Sequence, residues 1–282
     1  MSGASQLHAL FTVPKYRRAL ALSIGLLAMN QLTAINTVMY YGATIMEKAG
    51  FSESSAVWLS AGCNLAQALG VCYCVSQMDK VGRRDLALRS SKLVTIALVL
   101  LSTSFIADPP LPWLTMPLVM FYLLSFGSGL SGVPWAINSE VFPLAVRGVG
   151  SGMAIMVSWL CNFLVSLTFL DLCRVMTTSG AFALFASVGV VGTCAIQTSM
   201  PETMGMTLEQ IELVLSRPLL GCWGRPLSEH GDGVSERPPS SSLEEEDTGR
   251  LLAGDSTPQD RGAKAWASSA LRGGNFPVKL AD

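Results

Sequence analysis

The sequence predicts an all-α membrane protein with six spanning helices, and three observations carry that expectation. Half of the 282 residues are hydrophobic and only 14% are charged, with a mean hydropathy of +0.44, which is the composition of a membrane chain. Six apolar runs follow one another, most near the twenty residues a bilayer requires. The polar connectors between them carry nine cations on one side, Lys15, Arg17, Arg18, Lys80, Arg83, Arg84, Arg89, Lys92 and Arg147, against Lys48 and Arg174 on the other. By the positive-inside rule both termini are cytoplasmic and the number of spans is even. The net charge of −1 gives no reason to expect a nucleic-acid partner.

Taken in order, residues 1–18 form a cytoplasmic segment, SQLHALFTVPKYRRAL at its centre, amphipathic and broken at Pro14. No signal peptide is visible. Residues 19–200 hold the six runs: Ala19 to Ile45, Ala56 to Met78, Leu93 to Ala107, Trp113 to Ile137, Val149 to Leu170 and Ala181 to Met200. The third is short. The connectors GFSES, DKVGRRDLALRSSK, DPPLP, NSEVFPLAVRG, DLCRVMTTSG and PETMG punctuate them. Residues 201–217 read as a cytoplasmic amphipathic helix, Met204 to Ser216, lying on the membrane surface. Residues 218–282, rich in Gly, Ser, Pro and acids, read as a disordered cytoplasmic tail. Within it Asp247 with Leu251 and Leu252 matches an acidic dileucine sorting pattern.

The first run carries the least expected chemistry. Asn30, Gln31, Thr33, Asn36 and Thr37 lie inside it, and buried amides cost free energy unless partnered. On a continuous helix Asn30, Thr33 and Thr37 share a face, with Gln31 and Asn36 to either side. Such a stripe is either helix–helix glue or the wall of a polar pocket. The fourth run concentrates GSGLSGVP at Gly127 to Pro134, which serves either close packing or a bend. At the cytoplasmic ends, Asp79, Arg83 and Arg84 in DKVGRR face Glu140 and Arg147 in NSEVFPLAVRG, with Glu202 of PETMG after the last run. Paired charges there can lock one packed state and release in another. The seven cysteines lack zinc or disulfide-framework spacing; Cys63, Cys72, Cys74, Cys161 and Cys194, within apolar runs, read as small buried residues, with Cys173 and Cys222 nearer segment ends or in the tail. The two histidines, His8 and His230, stand apart, so no metal, cofactor or intramembrane enzyme centre is expected.

NQLTAINTVMYY, DKVGRR, VPWAINSEVFPLAVRG, SWLCNFLVSLTF and PETMG together resemble the sugar porters of the major facilitator superfamily, from about Leu7 to about Leu213. Within the family the wording is most similar to its proton-coupled myo-inositol cotransporters. The resemblance covers only the second half of a twelve-helix carrier whose two six-helix halves rock about a central site. It implies substrate contacts at Asn30 and Gln31, where the family has paired glutamines, and at Asn36, Gln67, Trp135, Ser158 and Asn162. It implies a cytoplasmic gate of Asp79, Arg83, Arg84, Glu140, Arg147 and Glu202. Trp135 would stack on a polyol ring or anchor the helix at the interface. Ala34 stands where the family has glycine, which is expected to stiffen the helix. No carboxylate lies deep within a run, so proton coupling would depend on residues outside this chain.

Two functions follow from that resemblance. One is transport of a polyol or hexose, myo-inositol foremost, by alternating access in company with an N-terminal half or a second copy. The other is a shortened, non-transporting product that associates with a full-length carrier. The expected location is the plasma membrane, with cycling through endosomes.

Overall fold

The computed structural model describes residues 3–106 and 112–216, and the elements in them are all helices. The disordered tail and the dileucine pattern expected beyond residue 217 lie outside the described residues. Helix α1 (Gly3–Thr12) gives way at Val13, and α2 (Pro14–Leu32) starts with proline as its first residue. There the missing N–H is one that no helical bond would have used. The break expected at Pro14 is found.

Among the described residues, five stretches are long and apolar enough to cross a membrane: Pro14–Tyr40, Glu53–Val81, Arg83–Ser104, Arg147–Val175 and Thr177–Ser199; the apolar helix Pro112–Gly127 is shorter. The first of these is interrupted. Helix α2 ends at Leu32, and α3 (Ile35–Tyr40) and α4 (Gly42–Lys48) complete the run in short pieces. Helix α7 (Pro112–Gly127) is likewise followed by turns and then by α8 (Val133–Glu140), so the Gly-rich stretch does bend.

The connectors are tighter than polarity suggested. DKVGRRDLALRSSK, read as a loop, contributes a single residue between α5 (Glu53–Val81) and α6 (Arg83–Ser104), namely Gly82 at φ 96°. The short third run thereby gains a helix of 22 residues. Ser90 and Ser91 lie in the bundle at no cost because they are bonded: Ser90 Oγ donates to the Ser125 carbonyl (2.7 Å), and Ser91 Oγ meets Thr193 Oγ1 (2.5 Å). DLCRVMTTSG is similarly absorbed, leaving Met176 between α9 (Arg147–Val175) and α10 (Thr177–Ser199).

Two kinds of contact hold the bundle. Helices α5 and α7 approach backbone to backbone at Gly70 and Gly127, where an added Cβ on Gly127 would sit 2.9 Å from the Gly70 Cα. Small residues permit that closeness, and packing is what joins helices where no hydrophobic drive exists between them. Tyr41, Phe169, Phe182 and Phe185 form an aromatic cluster, with Tyr41 and Phe169 stacked at 5.5 Å. Outside, Val57, Trp58, Leu65 and Leu69 on α5 and Phe163, Leu164 and Leu167 on α9 are exposed. Cys72 and Cys194 are exposed as well, correcting the expectation that they are buried; Cys63 and Cys74 meet it, Cys161 is half-buried, and Cys173, near the end of α9, is buried.

Helix α11 (Leu208–Ser216) begins four residues later than expected and buries Ile211 and Leu215. Glu212 pairs with Lys15, and Arg18 Nη1 donates to the carbonyls of Leu215 (3.1 Å) and Ser216 (2.6 Å). A cation on the last carbonyls of a helix satisfies acceptors that have no partner in the helix itself.

Candidate functional site

The two broken helices brace one another. Ala34 stands in the left-handed region (φ 67°, ψ 25°), so the helix cannot pass through it and the Thr33 carbonyl loses its partner. Tyr122 of α7 supplies one, its buried hydroxyl donating to Thr33 O at 2.7 Å. In return Asn30 Nδ2 donates to the Leu130 carbonyl (2.5 Å) in the turn between α7 and α8, while the Leu130 N–H donates to Ser90 Oγ (2.9 Å). Every backbone group freed by these breaks must be satisfied, since lipid offers no substitute.

This corrects two readings. Asn30, Thr33 and Thr37 are not one face of a continuous helix, because the chain changes direction between Thr33 and Ile35. Ala34 does not stiffen a helix either; it is the pivot of the break, in a conformation glycine adopts without strain.

Beside the braced breaks lies an open hollow of about 190 Å³. Five of the seven expected contact residues line it: Asn30, Gln31, Asn36, Gln67 and Trp135. Asn36 Nδ2 donates to Gln31 Oε1 (2.8 Å), and Gln31 Nε2 donates to Ser158 Oγ (3.2 Å). Ser158 is fully buried, off the lining, and donates onward to the Leu27 carbonyl (3.4 Å). It aims Gln31 rather than facing the hollow. Asn162 is also off the lining, its Oδ1 accepting from Ser166 Oγ at 3.4 Å. Gln67 stands apart from the others. Its Oε1 is buried with no hydrogen-bond partner, and an orphaned acceptor of this kind is costly unless something else supplies the proton.

Sequence reasoning gave no role to Ile35, Phe126, Ser131 and Trp159, which complete the lining. For Trp159 the signal was its place next to Ser158 on α9. A second hollow of about 190 Å³ lies between α2 and α10, lined by Leu22, Gly25, Leu26, Met29, Gly192 and Ile196 among others. Its lining is mainly apolar, with Ser199 the polar side chain among the residues that form it.

At the other end of the site helices, the expected charge cluster assembles around Glu202. Its carboxylate accepts from the N–H groups of Arg83 (2.9 Å) and Arg84 (3.0 Å), capping the start of α6. Gly82 is required there twice, by its φ of 96° and because a Cβ would lie 2.6 Å from Glu202 Oε2. Arg83 pairs with Asp79 (3.1 Å) and Glu140 (3.3 Å), and Thr203 Oγ1 donates to Glu140 (2.8 Å). Arg84 reaches the Gln197 carbonyl (2.8 Å). Arg147 does not join the pairing: its Nε donates to the Phe142 carbonyl (3.0 Å), and its Nη2 is buried without a partner.

Interrupted apolar helices beside a polar hollow, with charge pairs joining the ends of α5, α6 and α8 to the segment after α10, define a helical bundle of the membrane-carrier class. The chain belongs to the sugar (and other) transporter family, whose sequence profile matches residues 2–215; its members are transporters rather than enzymes. The major myo-inositol transporter IolT of Bacillus subtilis is 31% identical over 204 residues, 71% of this chain and 43% of that protein. Myo-inositol transporter 1 of Cryptococcus neoformans is 35% identical over 224 residues (74% and 39%). The human proton myo-inositol cotransporter is 27% identical over 301 residues (76% and 46%). The chain therefore spans less than half the length of these relatives. Among solved structures, the proton:xylose symporter XylE bound to 6-bromo-6-deoxy-D-glucose aligns with a TM-score of 0.64 at 25% identity, covering 70% of this chain and 42% of that one.

Proposed function

We propose that this chain forms one half of a carrier for a polyol or hexose, myo-inositol foremost, working by alternating access. The observation that carries the reading is the unpartnered Gln67 Oε1 beside a hollow lined with further amides and two indoles. Amides both donate and accept, as hydroxyls do, and an indole face suits the C–H face of a ring. Gln31, Asn36 and Gln67 bond ligand hydroxyls, Trp135 stacks on the ring, and Asn30, Ser158 and Asn162 tune the geometry from behind. The myo-inositol transporters among the relatives favour inositol over hexose.

In the same reading the bundle has six spans, the shorter apolar helix α7 joining with α8 to make one of them, and residues 1–18 and 201–282 are cytoplasmic. Alternating access needs a facing partner, supplied by an N-terminal half or a second copy, in the plasma membrane or an endosome that exchanges with it. Proton coupling, where it occurs, is supplied by that partner. Asp79, Arg83, Arg84, Glu140 and Glu202 hold the cytoplasmic gate shut by tying α5, α6 and α8 to the segment after α10, with Arg147 fixing the loop behind it. Removing the Glu140 charge changes the transport rate more than the affinity.

The test is uptake of labelled myo-inositol and glucose by transporter-null cells displaying this chain at their surface. Saturable myo-inositol uptake, lost in Asn36→Ala and kept in Thr33→Ala, is the expected result. Equal loss in both variants overturns the reading; surface-displayed chain that gives no uptake either alone or co-expressed with the N-terminal half of a myo-inositol transporter overturns it as well.

A further inference from the structure

We propose that Asn138 is a positioning residue that sets where the Trp135 indole sits in the hollow. Helix α8 is eight residues long, VPWAINSE, with turns before Val133 and after Glu140. A helix of that length does not hold its own place; tertiary contacts must do so. Its last residue, Glu140, is tied to Arg83 and Thr203. Its third, Trp135, lines the hollow and is 36% exposed. Between them, one turn from Trp135, Asn138 is 3% exposed and uses both ends of its amide on different helices. Its Oδ1 accepts from Ser23 Oγ of α2 at 2.6 Å, and its Nδ2 donates to Ser151 Oγ of α9 at 2.7 Å.

Those two helices are the ones that bring Gln31 and Trp159 to the hollow. A residue that merely filled the space would serve as well with an apolar side chain of the same size and no polar group to desolvate. A clasp with one donor and one acceptor instead fixes the rotation of α8 about its own axis. Trp135, three residues away on adjacent rows of that helix, turns with it.

The inference rests on reading the hollow as a binding site, but its test does not require a ligand. The full chain is purified in detergent, and acrylamide quenching of Trp135 is taken as the difference from a Trp135→Phe companion; Trp159 is isolated in the same way through Trp159→Phe. Asn138→Leu raises quenching of Trp135 by about twofold, Ser23→Ala and Ser151→Ala raise it less, and Asn138→Leu with Ser23→Ala goes no further than Asn138→Leu alone, as expected for one shared clasp. Quenching of Trp159 stays as it is. Unchanged Trp135 quenching in the variants, or an equal change at Trp159, overturns the proposal. Where Asn138→Leu yields no folded protein, the two serine variants decide by the same criterion. Absence of any response to added myo-inositol in the parent chain counts against the binding reading alone, leaving the clasp intact.

Discussion

Helices α6 and α10 are continuous; α2–α3 and α7–α8 are broken, and the contrast explains where the site lies. Along α6 and α10 the buried polar residues are hydroxyls that close on neighbouring hydroxyls or carbonyls: Ser91 with Thr193, and Ser102 and Ser179 each donating to the other's carbonyl at 2.9 and 2.8 Å. Those hydroxyls are engaged within the bundle. At the breaks the polar residues are amides and a phenol, and part of their capacity goes to freed backbone groups at Thr33 and Leu130. What is left over faces the hollow. In this bundle the buried hydroxyls of α6 and α10 act as glue, while the amides beside the breaks, together with Gln67 of the continuous helix α5, line the hollow.

The largest effect that would break this contrast comes from the crossing that seats Gln67 against the end of α7. A Cβ on Gly127 would lie 2.6 Å from the Gln67 carbonyl oxygen, so Gly127→Ala forces α5 and α7 apart. A loss of about 2–3 kcal/mol is expected, read from unfolding in detergent. Tyr122→Phe removes the hydroxyl that bonds the Thr33 carbonyl at the α2–α3 break and costs about 1–3 kcal/mol.

Much of this was legible in the residues. The six apolar runs, the break at Pro14 and the meeting of DKVGRR with NSEVF and PETMG follow from hydropathy, proline placement and charge, while GSGLSGVP left close packing and a bend open and supplies both. The interruption at Thr33–Ala34 was not legible, because alanine is the best helix former and the run is apolar on both sides. Only Tyr122, 89 residues later in the chain, makes the break affordable. The serines of DLALRSSK looked like loop for a similar reason: their partners, Ser125, Leu130 and Thr193, are remote in sequence. Ser158 and Asn162 were expected at the ligand, but being on the right helix does not decide which side chains reach the hollow, and Trp159 reaches it where they do not.

Smaller changes sharpen the contrast. Ala34→Gly relieves a left-handed alanine and stabilises the chain by about 1 kcal/mol, an increase in melting temperature that no glycine placed within α6 would give. In the continuous pair, Ser102→Ala costs about 0.6 kcal/mol and leaves ligand affinity unchanged.

The most direct measurement of the central claim is a fluorescence titration of the purified chain with myo-inositol, run beside Gln67→Leu and Trp135→Phe. A saturable signal that weakens about tenfold in Gln67→Leu and disappears in Trp135→Phe is the predicted result. An affinity unaltered by Gln67→Leu would contradict it, and would return these amides to the role of glue.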